Sequence, residues 1–460
     1  MAHKPVRRAQ LISPFGVGAM IGAGIFVLIG IAAGHAGPAL AIAFLLNGIV
    51  TTFTALSYAE LGSCLPAAGA GYRWVKEGMG GTQGFLAGWM NWFAYIVACA
   101  LYALGFGRLA VELWTLTGIP SPLSEHQLAI VFMVAIIAIF AYINSRGASE
   151  AGLVGNVVTT AKVIILLIFV GFGLYAIAGN PDWTDNFSEG LLPNGIGGIF
   201  VAMGMTFIAF EGYEIIAQSG EEVKNPTRNI PRAIFYSIIV VVIIYVLIGF
   251  VVIGAVVPPS GMAVWDYLAH AKEVAIVRAA EQFMPMGGVL ILISGLASTM
   301  SALNATIYSS SRVSFAMGRD NNLPAVFGSI HPKLHTPYWA VFLSAVLVVV
   351  MGMTLPIEQV AAAANVMFLL LFAQVNIAVM TLRRRRPELD RGYKIPFFPW
   401  IPVIGIVINL GMAVFLASKM DQVGFVSVAW IAVGLMLYWG YFSKREEEER
   451  PKEVLHEEAL

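Results

Sequence analysis

The chain has 460 residues, of which 58% are hydrophobic and 12% charged, and its 27 Lys and Arg balance 27 Asp and Glu. A mean hydropathy of +0.79 is more apolar surface than a soluble protein of this length can hide, so the composition implies a polytopic membrane protein. Zero net charge suggests no nucleic-acid partner, and two cysteines, Cys64 and Cys99, offer neither a metal cluster nor a ready disulfide.

The basic stretch from Met1 to Gln10 leads straight into a full-length apolar run, so the first span itself, not a cleaved signal, is expected to direct insertion. Twelve apolar runs of spanning length follow, at roughly 14–37, 39–62, 82–110, 126–144, 149–178, 194–219, 232–256, 286–316, 337–354, 358–382, 399–418 and 424–443. The mixed segment from Pro258 to Met284 reads as one or two short amphipathic helices on the surface. Basic residues fall in alternate connections: Arg73 and Lys76; Arg146; Lys224, Arg228 and Arg232; Arg319 and Lys333; Arg383 to Arg386 with Arg391 and Lys394. The tails carry Lys4, Arg7 and Arg8, and Lys444 and Arg445, on the same side, so both termini are expected in the cytoplasm. Residues 1–13 and 444–460 read as cytoplasmic tails around one membrane domain, 14–443.

Two of these runs are interrupted. The first contains Gly16, Gly18, Gly22 and Gly24 within nine positions, each costing a helix about 1 kcal/mol relative to alanine. Unwound backbone in lipid must pack in protein or line a cavity, because no water satisfies its amides. A half-helix starting near Gly24 aims free N–H groups and a positive dipole end at the break, which suits a carboxylate. Close packing of helices through small residues is the competing reading. The sixth run breaks at Gly204-Met205-Thr206-Phe207-Ile208-Ala209-Phe210-Glu211-Gly212-Tyr213-Glu214. Breaks in runs one and six occupy corresponding places if five spans repeat after five, the pattern of an inverted-repeat transporter with its site between broken helices.

Four motifs, in order and at the right spans, carry a family resemblance. They are Gly22-Ala23-Gly24-Ile25-Phe26; Ser57-Tyr58-Ala59-Glu60-Leu61 with Pro66 and Gly69-Ala70-Gly71-Tyr72; Glu221-Glu222-Val223-Lys224-Asn225-Pro226 with Asn229-Ile230-Pro231-Arg232; and Asn304-Ala305-Thr306 with Arg312, Arg319-Asp320 and Leu323-Pro324. Over nearly its whole length the chain resembles the amino acid–polyamine–organocation superfamily, and in particular its proton-coupled prokaryotic amino acid transporters. The resemblance implies an all-α protein of about twelve transmembrane helices. These form a five-plus-five inverted repeat (roughly 14–178 and 194–382) with broken first and sixth helices, plus two extra helices. It implies secondary transport of amino acids across the cytoplasmic membrane, by proton symport or by exchange. The substrate carboxylate is expected beside Met20, on the amides of Ile21, Gly22, Ala23 and Gly24. Its ammonium is expected on the carbonyls of Phe207, Ile208, Ala209 and Phe210.

Glu211 departs from the family pattern, where an apolar residue is commoner. A carboxylate at mid-bilayer needs a partner or a wet cavity. It is read either as a contact to a substrate amine or a proton site, or as a neutral hydrogen-bonded strut holding the break open. Glu214 lies on part of the same face. Arg108 and Glu112 are expected to pair as i,i+4 neighbours. Glu60 is expected to hold loop residues at the inner end of its span. Phe207, Phe210, Tyr213 and Trp89 are read as packing or a gate, with packing favoured. Arg383 to Arg386 reads as a topology signal, with contact to anionic lipid second.

Lys162 lies about twelve residues into the fifth run, about 18 Å along a helix and so near mid-membrane. An intramembrane lysine is by default a functional hypothesis, and desolvation disfavours its charged form, which makes proton exchange accessible. The alternative is a permanent structural tie to Glu211 or Glu214. The resemblance implies that its amine stands in for a sodium ion, touching carbonyls near Gly18 and Ile21 and a hydroxyl of Ser298 or Ser301. A membrane-embedded enzyme and a non-transporting receptor are the other function classes. Neither a clustered catalytic set nor a cofactor motif is found in the sequence, and the seven histidines have no metal-ligand spacing. The partners implied are an amino acid, protons and the bilayer, with no obligate protein partner.

Overall fold

The computed structural model describes residues 14–67, 69–147, 151–188, 190–218, 220 and 223–442. Both expected tails, and Glu221 and Glu222 of the loop motif, lie outside the described residues. Among the described residues the protein is all-helical, without a strand.

The first run appears as three pieces: α1 (Pro14–Met20), α2 (Gly24–Val27) and α3 (Ile29–Ala36). A 3-10 turn at Gly37–Ala39 leads into α4 (Leu40–Cys64), then α5 (Ala70–Met79) and α6 (Gly81–Leu116). α7 (Glu125–Arg146) opens on a capping box, in which Ser124 accepts from the Gln127 amide and the Gln127 side chain accepts from that of Ser124. α8 (Ala151–Gly179) and the short α9 (Asp185–Ser188) follow.

α10 (Gly195–Thr206) passes into a 3-10 turn at Phe207–Phe210 and resumes as α11 (Tyr213–Gln218). The chain then runs through α12 (Pro226–Ala255), α13 (Val264–Ala271), α14 (Ala275–Phe283), α15 (Gly287–Arg319), α16 (Tyr338–Thr354), α17 (Ile357–Arg385), α18 (Trp400–Lys419) and α19 (Asp421–Leu437).

Ten helical stretches among the described residues are long and apolar enough to cross a membrane. The other two expected runs differ for local reasons. The run at 14–37 is split by its glycine break, and that at 337–354 forms a shorter apolar helix, α16. The segment after α12 does form two short helices, but α13 and α14 are only half on the surface. Val264, Trp265, Leu268, Ala275, Ile276 and Val277 are buried, and α13 and α14 pack on α3 and α2.

The spans pack as facing pairs, α4 on α12, α6 on α15 and α17 on α18, while α1 lies against α8 and α12. Buried amides tie α4 and α17 to α10, and α17 and α18 to α4. Asn47 donates to the Met203 carbonyl and the Thr206 hydroxyl, both at 3.0 Å. Asn365 donates to the carbonyls of Gly204 and Met205. Asn376 and Asn409 both donate to Thr54. Such bonds inside a membrane are worth about 0.6 kcal/mol each on average, so several are needed to fix a register.

The α4 end is locked by charge. Glu60 is 0% exposed, accepts from the Nε and one Nη of Arg383 and from the Ile395 amide at 2.9 Å, and pairs with Arg391 at 3.2 Å. The expectation that Glu60 holds loop residues matches this geometry. Within the basic run, Arg383 serves the buried Glu60, and the exposed Arg386 pairs with Glu77 at 2.6 Å and with Glu388. At the opposite end the expected Arg108–Glu112 pair is replaced. Glu112 pairs with Arg278 of α14 at 2.7 Å, through one Nη of a guanidinium whose other Nη serves Glu281.

Candidate functional site

Helix geometry fails between α1 and α2 over Ile21, Gly22 and Ala23. The amides of Ile21 and Gly22 still find local acceptors, the carbonyls of Val17 at 2.7 Å and Met20 at 2.8 Å. Among the described residues the N–H groups of Ala23 and Gly24 have no acceptor. Of the amides expected to meet a carboxylate, these two are therefore unspent.

The carbonyls of this break are met from three neighbouring helices. Lys162 of α8 is 1% exposed, and its ammonium donates to the carbonyl of Gly18 at 3.1 Å, to that of Ile21, and to the hydroxyl of Ser301 at 3.2 Å. An ammonium has three hydrogens and no acceptor, so this set uses all of them. Ser298 of α15 lies 3.0 Å from the carbonyls of both Ile21 and Gly22, and its single hydrogen serves one at a time. Ser301 passes its own hydrogen to the Ser298 carbonyl at 3.0 Å. Gly18, Ile21, Lys162, Ser298 and Ser301 are thus brought together as the sequence reading expected. Among the described residues no carboxylate pairs with Lys162, so the alternative tie to Glu211 or Glu214 is absent.

In the second break Glu211 is extended (ψ 160°) and Gly212 has φ 122°, a conformation closed to residues with a Cβ. Glu214 turns back so that its Oε2 accepts from the Gly212 amide at 2.7 Å, capping the start of α11. Glu211 is 5% exposed and its Oε1 has no hydrogen-bond partner among the described residues. The Ala209 carbonyl is met by Tyr245, and that of Phe210 accepts no hydrogen bond among the described residues.

The breaks touch. A Cβ placed on Gly24 would lie 2.6 Å from the Ala209 Cβ and 2.8 Å from its Cα, so only glycine permits this approach. Tyr245 of α12, fully buried, bridges them through one hydroxyl, 3.1 Å from the carbonyl of Met20 and 3.1 Å from that of Ala209. Its ring is held against Phe210 and Phe44.

Tyr245, Asn47 and Asn365 were not singled out from the sequence. The available signal was a lone polar group near the middle of each apolar run. Phe207 and Phe210 pack on Phe372 and Tyr245, and Tyr213 on Tyr58. Trp89 is away from both breaks. It stacks on Trp430 at 4.5 Å and donates to that residue's carbonyl, which is packing of α6 against α19.

Fold and site together define a multi-pass membrane protein in which two interrupted helices meet beside a buried lysine. The chain belongs to the amino acid permease family, whose model matches residues 13–444. It is 29% identical to the branched-chain amino acid permease BcaP of Bacillus subtilis over 443 residues, covering 94% of this chain and 92% of that protein. It is 30% identical to the methylthioribose transporter of Bacillus subtilis over 440 residues, covering 93% and 91%. With the serine/threonine exchanger SteT of the same organism it shares 28% identity over 400 residues, covering 85% and 86%.

Proposed function

We propose that this protein is a secondary active transporter that carries amino acids across the cytoplasmic membrane by alternating access, in symport with protons. The reading takes the chain as a five-plus-five inverted repeat, 14–178 and 194–382, followed by the helices at 399–418 and 424–443, with both termini in the cytoplasm. The substrate lies between the breaks. Its carboxylate is received beside Met20 by the first break, where Ala23 and Gly24 hold unspent amides next to Ile21 and Gly22. Its ammonium is received by the carbonyls of Phe207, Ile208, Ala209 and Phe210. A zwitterion needs donors at one end and acceptors at the other, and two facing helix ends supply both.

The observation that carries the coupling is the Lys162 ammonium seated on the carbonyls of Gly18 and Ile21 and on Ser301. A charged amine there supplies what a bound cation would. When it loses its proton, the amine keeps two hydrogens for three acceptors and loses its charge, so the first break is held less firmly and is free to change its angle to α8 and α15. Proton occupancy and helix position are then linked, which is what coupling requires. Purified protein in liposomes is the test, with a panel of labelled L-amino acids and an inward proton gradient in sodium-free buffer. Concentrative uptake without sodium is the expected result, and strict sodium dependence contradicts the reading. A second reading, obligate exchange, is favoured by the likeness to SteT. It is distinguished by uptake that requires a preloaded internal amino acid and ignores the gradient.

A further inference from the structure

Glu211 and Glu214 occupy one break and are used differently. Glu214 spends an oxygen on the Gly212 amide and thereby holds the turn into α11. The backbone of Glu211 bonds to the Ile208 carbonyl, a contact any residue would make. Its carboxyl is buried, and its Oε1 has no hydrogen-bond partner among the described residues. A strut is expected to use its oxygens, so the structural task falls to Glu214 and leaves Glu211 over.

The surroundings contain no resident cation for it. Among the described residues neither carboxylate forms an ion pair, and Lys162 spends its donors on Gly18, Ile21 and Ser301. The groups within electrostatic reach of Glu211 are Glu214 and the tyrosines Tyr58, Tyr95, Tyr102 and Tyr213. Tyr102 also marks the way to the first break, since its hydroxyl would lie 3.8 Å from a Cβ on Gly22.

We infer that Glu211 receives a second positive charge from the substrate, so that the site selects amino acids whose side chain ends in a guanidinium or ammonium. The inference rests on the transporter reading above and adds the substrate class. A guanidinium or ammonium brings the donors that the buried carboxylate lacks, and charge neutralisation in a site closed to water makes the pairing selective. An uncharged side chain of the same shape leaves the carboxyl unmet.

L-arginine and L-citrulline form the test pair, because they are nearly isosteric and differ in that charge. In liposomes containing the full chain, labelled L-arginine is expected to show an apparent affinity about tenfold or more above that of L-citrulline, the worth of one charged hydrogen-bonded contact. Glu211→Gln is expected to bring the two within about twofold by weakening arginine and sparing citrulline, on the same scale. A wild-type protein indifferent to the pair overturns the inference without any variant. Equal weakening of both substrates in a monodisperse Glu211→Gln protein also overturns it, since Glu211 would then serve the α-ammonium or the fold. Uptake of L-leucine but of neither test compound overturns the inference and leaves the transporter reading standing. If no amino acid in the panel moves, both fail.

Discussion

At the first break the carbonyls of Gly18, Met20, Ile21 and Gly22 each face a side-chain donor, supplied by Lys162, Tyr245 and Ser298 from three different helices. At the second, Tyr245 and the Glu211 amide meet the carbonyls of Ala209 and Ile208, the Phe210 carbonyl and the Glu211 Oε1 have no donor among the described residues, and the amides of Asn47 and Asn365 bind one turn earlier, at Met203 to Met205. Similar unwound backbone is thus met more fully by side chains at the first break than at the second. The first carries a positive group and exposes N–H; the second carries negative groups and exposes C=O. A site for a zwitterion needs this asymmetry, and a pair of breaks that served only close packing would not.

Substitutions at and away from the breaks sharpen the comparison. The largest effect is expected from Gly24→Leu. Contact with Ala209 already begins at 2.6 Å for a Cβ, so the longer side chain forces the breaks apart. Binding of the transported amino acid should be lost while the protein remains inserted. Unchanged affinity in a folded Gly24→Leu protein would contradict the meeting of the breaks as the binding site.

Asn365→Ala removes the donor to the carbonyls of Gly204 and Met205. Leaving buried polar groups unmet costs about 1–3 kcal/mol, and thermal unfolding in detergent should report the loss. The second break should loosen, so affinity should fall as well. A stability loss with unaltered affinity would show that the amide clamp and the ligand carbonyls are independent.

Tyr245→Phe keeps the ring against Phe210 and Phe44 and deletes the hydroxyl shared by Met20 and Ala209. About 1 kcal/mol of stability is the expected cost, with a rise in KM and little change in maximal rate. A fall in rate alone would assign the hydroxyl to movement, not to binding.

The smallest effect belongs to Arg278→Ala. Its partners Glu112 and Glu281 belong to neither break, and the guanidinium side chain is 37% exposed, so less than about 1 kcal/mol is at stake. Transport should be nearly unaltered. A large loss would move the functional centre toward α14.

Both breaks were legible in the sequence because each leaves a local mark: the glycines at 16, 18, 22 and 24 in one run, and Glu211-Gly212 in the other. The set around Lys162 was legible through family resemblance, since periodicity alone gives a serine at 298 or 301 no connection to a carbonyl at 21. Tyr245 was not legible. Its two acceptors lie 225 and 36 positions away, and a tyrosine inside an apolar helix looks the same whether it packs or bridges. The Arg108–Glu112 expectation failed for a related reason. Helical spacing reports neighbours on one helix, and the competing arginine at 278 belongs to a different helix, α14, 166 positions away.

Concentrative uptake by the Lys162→Ala protein tests the central claim most directly. Wild-type and variant liposomes are compared under the same inward proton gradient without sodium, using the amino acid that the wild-type protein accumulates. The account predicts that the wild-type protein concentrates the amino acid and the variant does not, although the variant is inserted and monodisperse. A Lys162→Ala protein that still concentrates its substrate down the proton gradient would contradict the assignment of coupling to this amine.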